Sequence, residues 1–530
     1  MRWSRTSINS AATDLQLSTG MLTTRISSFG IVREFTKAPV KLRLVVLFLA
    51  FATLLVPTFL PWYDYSTWQL ILAMVLLDVC LYPTFRYVAR GETGLPIMPV
   101  LCLSFAVQYA TPIFTQESKV DLVGGEVFYL ENSAVIAALL ITIFSVLVLQ
   151  ITYYVIRDGR FMKVLPCVRL QLNEQRAEIF CVVVFVASLF SGRIQNMLSQ
   201  ETALQFSALF TLLQNQLLVA IVILSWLAFS VRKHKRHMAM LYALVGYTAL
   251  RGFSTTMLET MIVPLAVLFI SKWTYTRRVP VVSLTVIAMA FLFFSPVKME
   301  IRRAALEETQ ARQSTSTANR AVDWVAQASN FWWETFWGRR RLSESTADAS
   351  SRTDLIHEFA EIYTMTPSMV EYQYGTTYKY LALTLIPRVI WPEKPQANYA
   401  NNFYAIAYGV SNEEGVKTSS FGITLLGEGY VNFGTAGALL TMVFLGLVLA
   451  GTEHLIGSGR SGVGGQAIFL AFFVYALNGI GSSTELMFGG MVQNLVATSL
   501  MLWWVRRRGI SHVSGTAELI PPGRYKPLTS

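Results

Sequence analysis

Three prolines, at 387, 392 and 395, frame Arg388, Trp391 and Lys394 in one short polar stretch. Each proline locks φ near about −65°, so the backbone around the two cations is stiff. Cations held in place beside an aromatic ring suit a diphosphate: Arg grips two oxygens at once and Lys adds a point charge. Upstream, Asp354, Glu358 and Glu361 recur at i, i+4 and i+7 with His357 close by. They are carboxylates that a general base would need. An acidic row on an amphipathic helix is more often simply its wet side, and that reading stands beside the chemical one.

The elements that must hold these residues follow from pattern. Ser351, three residues before Asp354, fits a capping box, and Leu355, Phe359 and Ile362 make one apolar stripe. Pro367 stops that helix. Tyr372, Tyr374, Gly375, Tyr378 and Tyr380 lead into an apolar run over about residues 376–391. Flanked by Lys379 and Arg388 and too short to span, it is expected to lie on or dip into a membrane face. Residues 298–320 read as a polar helix with a solvated face. Phe331, Trp332, Trp333, Phe336 and Trp337 then run into Arg339, Arg340 and Arg341. Rings beside guanidinium groups suit a membrane interface, with stacking on sugar faces as the alternative.

Composition sets the class. Mean hydropathy is +0.46, with 53% apolar and 14% charged residues, which excludes an ordinary soluble domain. The net charge of +11 is spread over short loops between apolar runs and not along one basic face, so it signals topology and not nucleic acid. Spans are predicted near 42–60, 67–85, 95–113, 133–156, 177–191, 206–230, 237–250, 255–271, 280–296, 434–452, 466–482 and 489–505. The fold class is therefore all-α, a polytopic integral membrane protein with about twelve transmembrane helices. Arg86 and Arg90, then Arg157 to Arg176, Arg232 to Arg236, Lys272 to Arg278, and Arg506 to Arg508 alternate with acidic loops carrying Asp64 or Glu117 to Glu131. By the positive-inside rule the tails 1–41 and 506–530 are cytoplasmic, no removable signal peptide is expected, and the 297–433 loop lies outside.

Arg251 and Glu259 interrupt the seventh and eighth spans. A hairpin turning at Arg251, Gly252, Phe253 and Ser254 keeps the charge alternation of every later loop, whereas one long span would invert it. An arginine in apolar sequence costs about 3 kcal/mol on insertion scales and is seldom kept without a partner; Glu259 is one, a substrate is another. Cys80, Cys102, Cys167 and Cys181 show no metal-ligand spacing, and no phosphate loop, Asp-x-Asp pair or His-Glu-x-x-His occurs. Gly457, Gly459 and Gly462 match Gly-x-Gly-x-x-Gly but follow no strand, and read as a linker.

The order Arg352-x-Asp354, Tyr374-Gly375, Pro387-Arg388-x-x-Trp391-Pro392-x-Lys394-Pro395, then Gly427-Glu428-x-Tyr430-x-Asn432-Phe433-Gly434, resembles the Wzy-type oligosaccharide repeat unit polymerases of bacterial O-antigen and exopolysaccharide pathways. The motifs cover roughly residues 350–435. The resemblance implies a GT-C-like membrane glycosyltransferase in the inner membrane, working without metal or other cofactor on undecaprenyl-diphosphate-linked glycans among membrane lipids. A chain-length regulator and a flippase of the same pathway would be partners, and nucleic acid would not. Carried onto this sequence, it makes Glu428, Arg388 and Asp354 catalytic, with Arg251, Arg352, Lys394, Tyr374, Trp391 and His357 binding substrate. Glu428 would accept the hydroxyl proton, its plainer alternative being to cap the helix that follows. A ligase of finished glycans and a transporter are the competing classes.

Overall fold

The computed structural model describes residues 65–92, 94–160, 165–198, 206–231, 235–255, 258–276, 280–298, 317–339, 353–386, 398–418 and 421–506, with 162, 202, 301, 341, 345 and 391 singly between them. The expected span at 42–60 and both tails beyond these bounds lie outside the described residues. The chain is mostly helical. In order come α1 (Thr67–Ala89), α2 (Ile97–Thr115, loosened by a π turn at Ala106–Ala110), α3 (Asn132–Asp158), α4 (Glu174–Met197) and α5 (Ser207–Trp226). There follow α6 (Lys235–Thr255), α7 (Leu258–Thr276), α8 (Val281–Phe294), α9 (Thr317–Phe336) and α10 (Leu355–Met365). Last are α11 (Tyr399–Ala407), α12 (Leu425–Thr452), α13 (Gly462–Asn478) and α14 (Thr484–Val505). A two-stranded ribbon, β1 (Lys119–Asp121) against β2 (Val127–Tyr129), caps the link between α2 and α3.

Among the described residues, α1, α2, α3, α5, α12, α13 and α14 are long and apolar enough to cross a membrane, and α7 and α8 carry shorter apolar stretches. In hydrocarbon only a helix satisfies its own backbone, which is why these runs are helices despite Pro83 and Pro264 inside α1 and α7. Phe144, Ile151 and Val155 on α3, Val183 and Phe190 on α4, and Val282 and Met289 on α8 point outward, as a lipid-facing belt does. Inside, one core joins α1–α7 to α10 and α12–α14, with α3 lying along α12 and α13 along α14. A second cluster, around Trp324, unites the ends of α6, α7 and α8 with α9.

Chain direction gives the bundle two ends. At one, Arg86 pairs with Asp158 at 2.7 Å and stacks on the Tyr154 ring, Arg157 pairs with Glu92 at 2.6 Å, and Tyr153 donates to Glu453. The connection 165–173 runs across this end as a strap. Val168 N donates to Leu455 O at 2.8 Å, Leu170 N to Ser461 O at 2.8 Å, and Asn173 N to Val505 O at 3.2 Å. Gly459 and Gly462 belong to this floor, in the turn over which the strap passes. The other end carries α10, the 371–386 turns, α11 and the starts of α12 and α14.

The hairpin between the seventh and eighth expected spans forms, but later than the sequence places it. Arg251, Gly252 and Phe253 are helical within α6, which runs on to Thr255, and α7 begins at Leu258. A methyl on Gly252 would stand 2.7 Å from Met261 N, so that glycine serves the contact between the two helices and not the turn.

Candidate functional site

The site starts with α10. Asp354, not Ser351, caps this helix: its Oδ1 accepts from His357 N at 3.2 Å. Ser351 lies outside the described residues. The same carboxylate meets His357 Nδ1 at 2.6 Å, and His357 Nε2 meets the Tyr65 hydroxyl at 2.9 Å, which donates to Gln116 O at 2.8 Å. A buried histidine thus ties α10 to the chain entering α1 and the chain leaving α2.

One turn on, the acidic row departs from its wet-side reading. Glu361 is buried, because α10 is covered by α3 on one flank and by the start of α12 on another. Tyr404 of α11 donates to its Oε2 at 3.0 Å, while Oε1 has no hydrogen bond among the described residues. Burial pushes the Glu361 carboxyl from its ordinary value of 4.5 up to about 8. The folded protein therefore binds this proton more tightly than the unfolded chain does. Stability conferred by the neutral form is complete below about 4.5 and is lost as pH rises through about 8. Over that window the slope should reach about 1.4 kcal/mol per pH unit. Melting of the detergent-solubilised protein against pH should show it, and Glu361→Gln should flatten it; an unchanged slope in the variant would assign it to other groups.

The Tyr374-Gly375 pair forms a tight turn, with φ of 46° and 90°, that leaves the Tyr374 ring exposed. Asn432 on α12 holds the turn. Its Oδ1 accepts from Gly375 N at 2.7 Å, and its Nδ2 donates to Thr377 Oγ1 at 2.7 Å and to Glu428 O at 2.8 Å. Gln373 N adds a bond to Val431 O at 2.9 Å. Tyr378 sits beside Asn432, Thr441 and Glu428, and burial together with the Glu428 charge drives its phenol above its usual range. It is a neutral hydroxyl donor.

The start of α12 is a helix broken in two. Gly434, at φ 61° and ψ −151°, takes a conformation open essentially to glycine alone, and the chain folds back on itself there. A methyl on Gly429 would stand 2.8 Å from both Gly437 O and Thr441 Oγ1, although eight residues of straight helix would separate such positions by about 12 Å. Glu428 lies in the first limb. Its Oε2 accepts from Thr484 N at 2.6 Å, so it caps α14 and not its own helix, while Oε1 makes no close hydrogen bond among the described residues, with the Thr377 and Thr484 hydroxyls nearby. Glu485 is also buried, its carboxylate facing the Tyr399 and Ala400 amides that open α11 without a close bond to them. Asn401 links three segments here, accepting from Ile423 N at 3.2 Å and donating to Asn398 Oδ1 at 2.9 Å and Ser482 Oγ at 3.3 Å.

Glu361, Glu428 and Glu485 are therefore three buried carboxylates at one end of the bundle, none in an ion pair among the described residues. Arg388, Lys394 and Arg352 lie outside the described residues. The segments flanking the first two are anchored at this end: Gln493 Nε2 donates to Thr384 O at 2.7 Å, and Asn398 opens α11 beside Glu485. Trp391 is exposed. Arg251 is half-buried near the end of α6, at this same end of the bundle but within the group formed by α6–α9. The Glu259 side chain lies outside the described residues. Sequence reasoning missed Tyr65, Tyr404 and Asn401, for which no local signal exists. For Asn432 the signal was its place in Gly427-Glu428-x-Tyr430-x-Asn432.

The profile of a family described as "Domain of unknown function (DUF8712)" matches residues 158–512, which takes in every element from α4 to α14. No curated protein and no solved structure matches the chain.

Proposed function

The chain belongs to the DUF8712 family, and from the site at the far end of its bundle we propose that it joins undecaprenyl-diphosphate-linked oligosaccharide repeat units into O-antigen or exopolysaccharide. On this reading it is a GT-C-like glycosyltransferase of about twelve spans in a bacterial inner membrane. The arginine-rich floor and both termini are cytoplasmic, and the site faces the periplasm.

The reaction needs little covalent chemistry from the protein. The acceptor sugar hydroxyl forms a bond to the anomeric carbon of the donor, the bond from that carbon to the lipid diphosphate breaks, and undecaprenyl diphosphate leaves with the electron pair. Glu428 takes the hydroxyl proton, with Asp354 and His357 as the other base available at this end. Arg388 and Lys394 hold the departing diphosphate, and Arg251 and Arg352 either share that task or place the diphosphate of the second lipid. Tyr374 and Trp391 offer exposed rings to the sugars, and Tyr378 offers a neutral hydroxyl.

One observation supports this reading above the rest. Two motif segments more than fifty residues apart in sequence, Tyr374-Gly375 and the Glu428 limb, are bonded together through Asn432 beside a carboxylate oxygen that makes no close hydrogen bond among the described residues. A site assembled to position reactants has this form. Electrophoresis of lipid-linked glycans from cells with and without the gene tests it. A ladder should collapse to single repeats on deletion. Full-length lipid-linked chains accumulating instead would mean a ligase.

Transport is the second reading, favoured by the broken α12 and by buried acids with no ion pair among the described residues. The cross-tied floor counts against it. Movement of labelled lipid-linked glycan across vesicles that lack any acceptor would establish it.

A further inference from the structure

Helix α9 carries three stripes. Along one, Trp324, Ala328 and Phe331 are buried against Phe253, Leu258, Met261 and Phe294, at the ends of α6, α7 and α8 remote from the floor. Trp332 Nε1 donates to Phe293 O at 3.2 Å, and the Trp324 ring meets the Phe253 and Phe294 rings edge-on at 5.9 Å. The helix is thus seated firmly across the tips of three helices. A second stripe is polar, with Asn319, Asp323, Asn330 and Glu334.

The third stripe is apolar and uncovered. Val322 is 65% exposed, Trp333 60% and Phe336 80%, with Val325 and Ser329 between them and no acidic residue in the row. Trp337, 61% exposed, continues it. Gly338, at φ 70°, then turns the chain, and Arg339 and Arg341 follow, both exposed. A buried stripe explains why α9 is a helix; it does not explain four large apolar side chains on the next flank.

We infer that α9 is an interfacial anchor whose Val322, Trp333, Phe336 and Trp337 flank lies in the headgroup layer of the bilayer and whose Arg339 and Arg341 bind anionic phospholipid headgroups. The occupant is fixed by three observations together. The helix packs against the far end of α8, which turns Val282, Val286 and Met289 outward in the lipid-facing belt. The helix lies at the tips of α6–α8, where hydrocarbon gives way to headgroups. Two exposed arginines close the aromatic row, the arrangement that places rings at headgroup level and guanidinium groups on phosphates. Such a helix sinks roughly 5–10 Å into the boundary between headgroups and acyl chains.

The test uses the full chain with Cys167, the one cysteine that is not fully buried, changed to Ser. Phe336→Cys and, in the polar stripe, Asp323→Cys are each labelled with a polarity-sensitive fluorophore and reconstituted in phosphatidylcholine vesicles with and without phosphatidylglycerol. The label at 336 should emit in the blue and be quenched several-fold more by lipid bearing a nitroxide near the headgroup than by one at the chain end. The label at 323 should stay water-like and unquenched. Adding Arg339→Gln and Arg341→Gln should abolish the stronger quenching in phosphatidylglycerol vesicles. Equal, water-like emission at both positions would overturn the inference, as would strongest quenching from the chain end. A blue shift at 336 that vanishes on diluting the protein in lipid would assign the stripe to a second copy. An arginine variant that keeps the preference for anionic vesicles would remove the headgroup assignment.

Discussion

Glu428→Gln should abolish repeat addition while the protein accumulates normally in the membrane. The amide keeps an oxygen to accept from Thr484 N, the bond now made at 2.6 Å, so the cap on α14 and the packing of the broken helix survive. What is lost is a group that takes up a proton. Removal of a positioned general base lowers rates by about 10²–10⁴-fold. Within a ladder assay, a drop of that size leaves mostly single repeats on the lipid. Glu428→Ala is the harsher comparison, because it strips Thr484 N of its acceptor and adds an unsatisfied buried donor, about 1–3 kcal/mol of destabilisation besides the chemical loss. If Glu428→Gln made polymer of normal length and amount, the carboxylate would be a helix cap and nothing more, and the search for a base would move to Asp354 and His357.

Gly437→Ala should have the largest effect on stability of any glycine change within α12. A methyl there collides with Gly429 O and approaches Phe433 Cβ to 2.9 Å, in a place where both limbs of the break are backbone and neither yields. Overpacking of this kind costs about 1–3 kcal/mol, occasionally more. Because Glu428 rides on the limb that must move, activity should fall further than stability alone accounts for. Gly451→Ala is the control in the same helix: nothing lies within 4 Å of the added methyl, and alanine is the better helix former by about 1 kcal/mol. Melting temperatures of the two variants in detergent should move in opposite directions. Equal melting temperatures would mean that the two limbs do not touch.

Much of this architecture is written in local pattern. Apolar runs of span length, and a glycine at 434 just ahead of one of them, follow from features that a window of twenty residues contains. The Tyr374-Gly375 and Glu428-to-Gly434 segments could be singled out through the family resemblance that their order carries. What could not be read was burial. Glu361 occupies the polar face of an amphipathic helix by spacing, and only the arrival of α3 and α12 on either side takes it out of water. Nor does any sequence window join Tyr65 to His357 across 292 positions, or Tyr404 to Glu361 across 43. The α6–α7 turn was displaced for a related reason: Gly252 resembles a turn residue, yet its missing side chain is used to let Met261 approach.

The strap over residues 165–173, with the Arg86, Arg157 and Glu453 contacts beside it, acts as a cross-brace. Its backbone bonds reach Leu455, Ser461, Gly464 and Val505, so one segment of chain holds the floor ends of α12, α13 and α14 in register. Severing the chain within 165–173 would therefore release three helix ends at once, while the bonds that assemble the opposite end of the bundle stay in place.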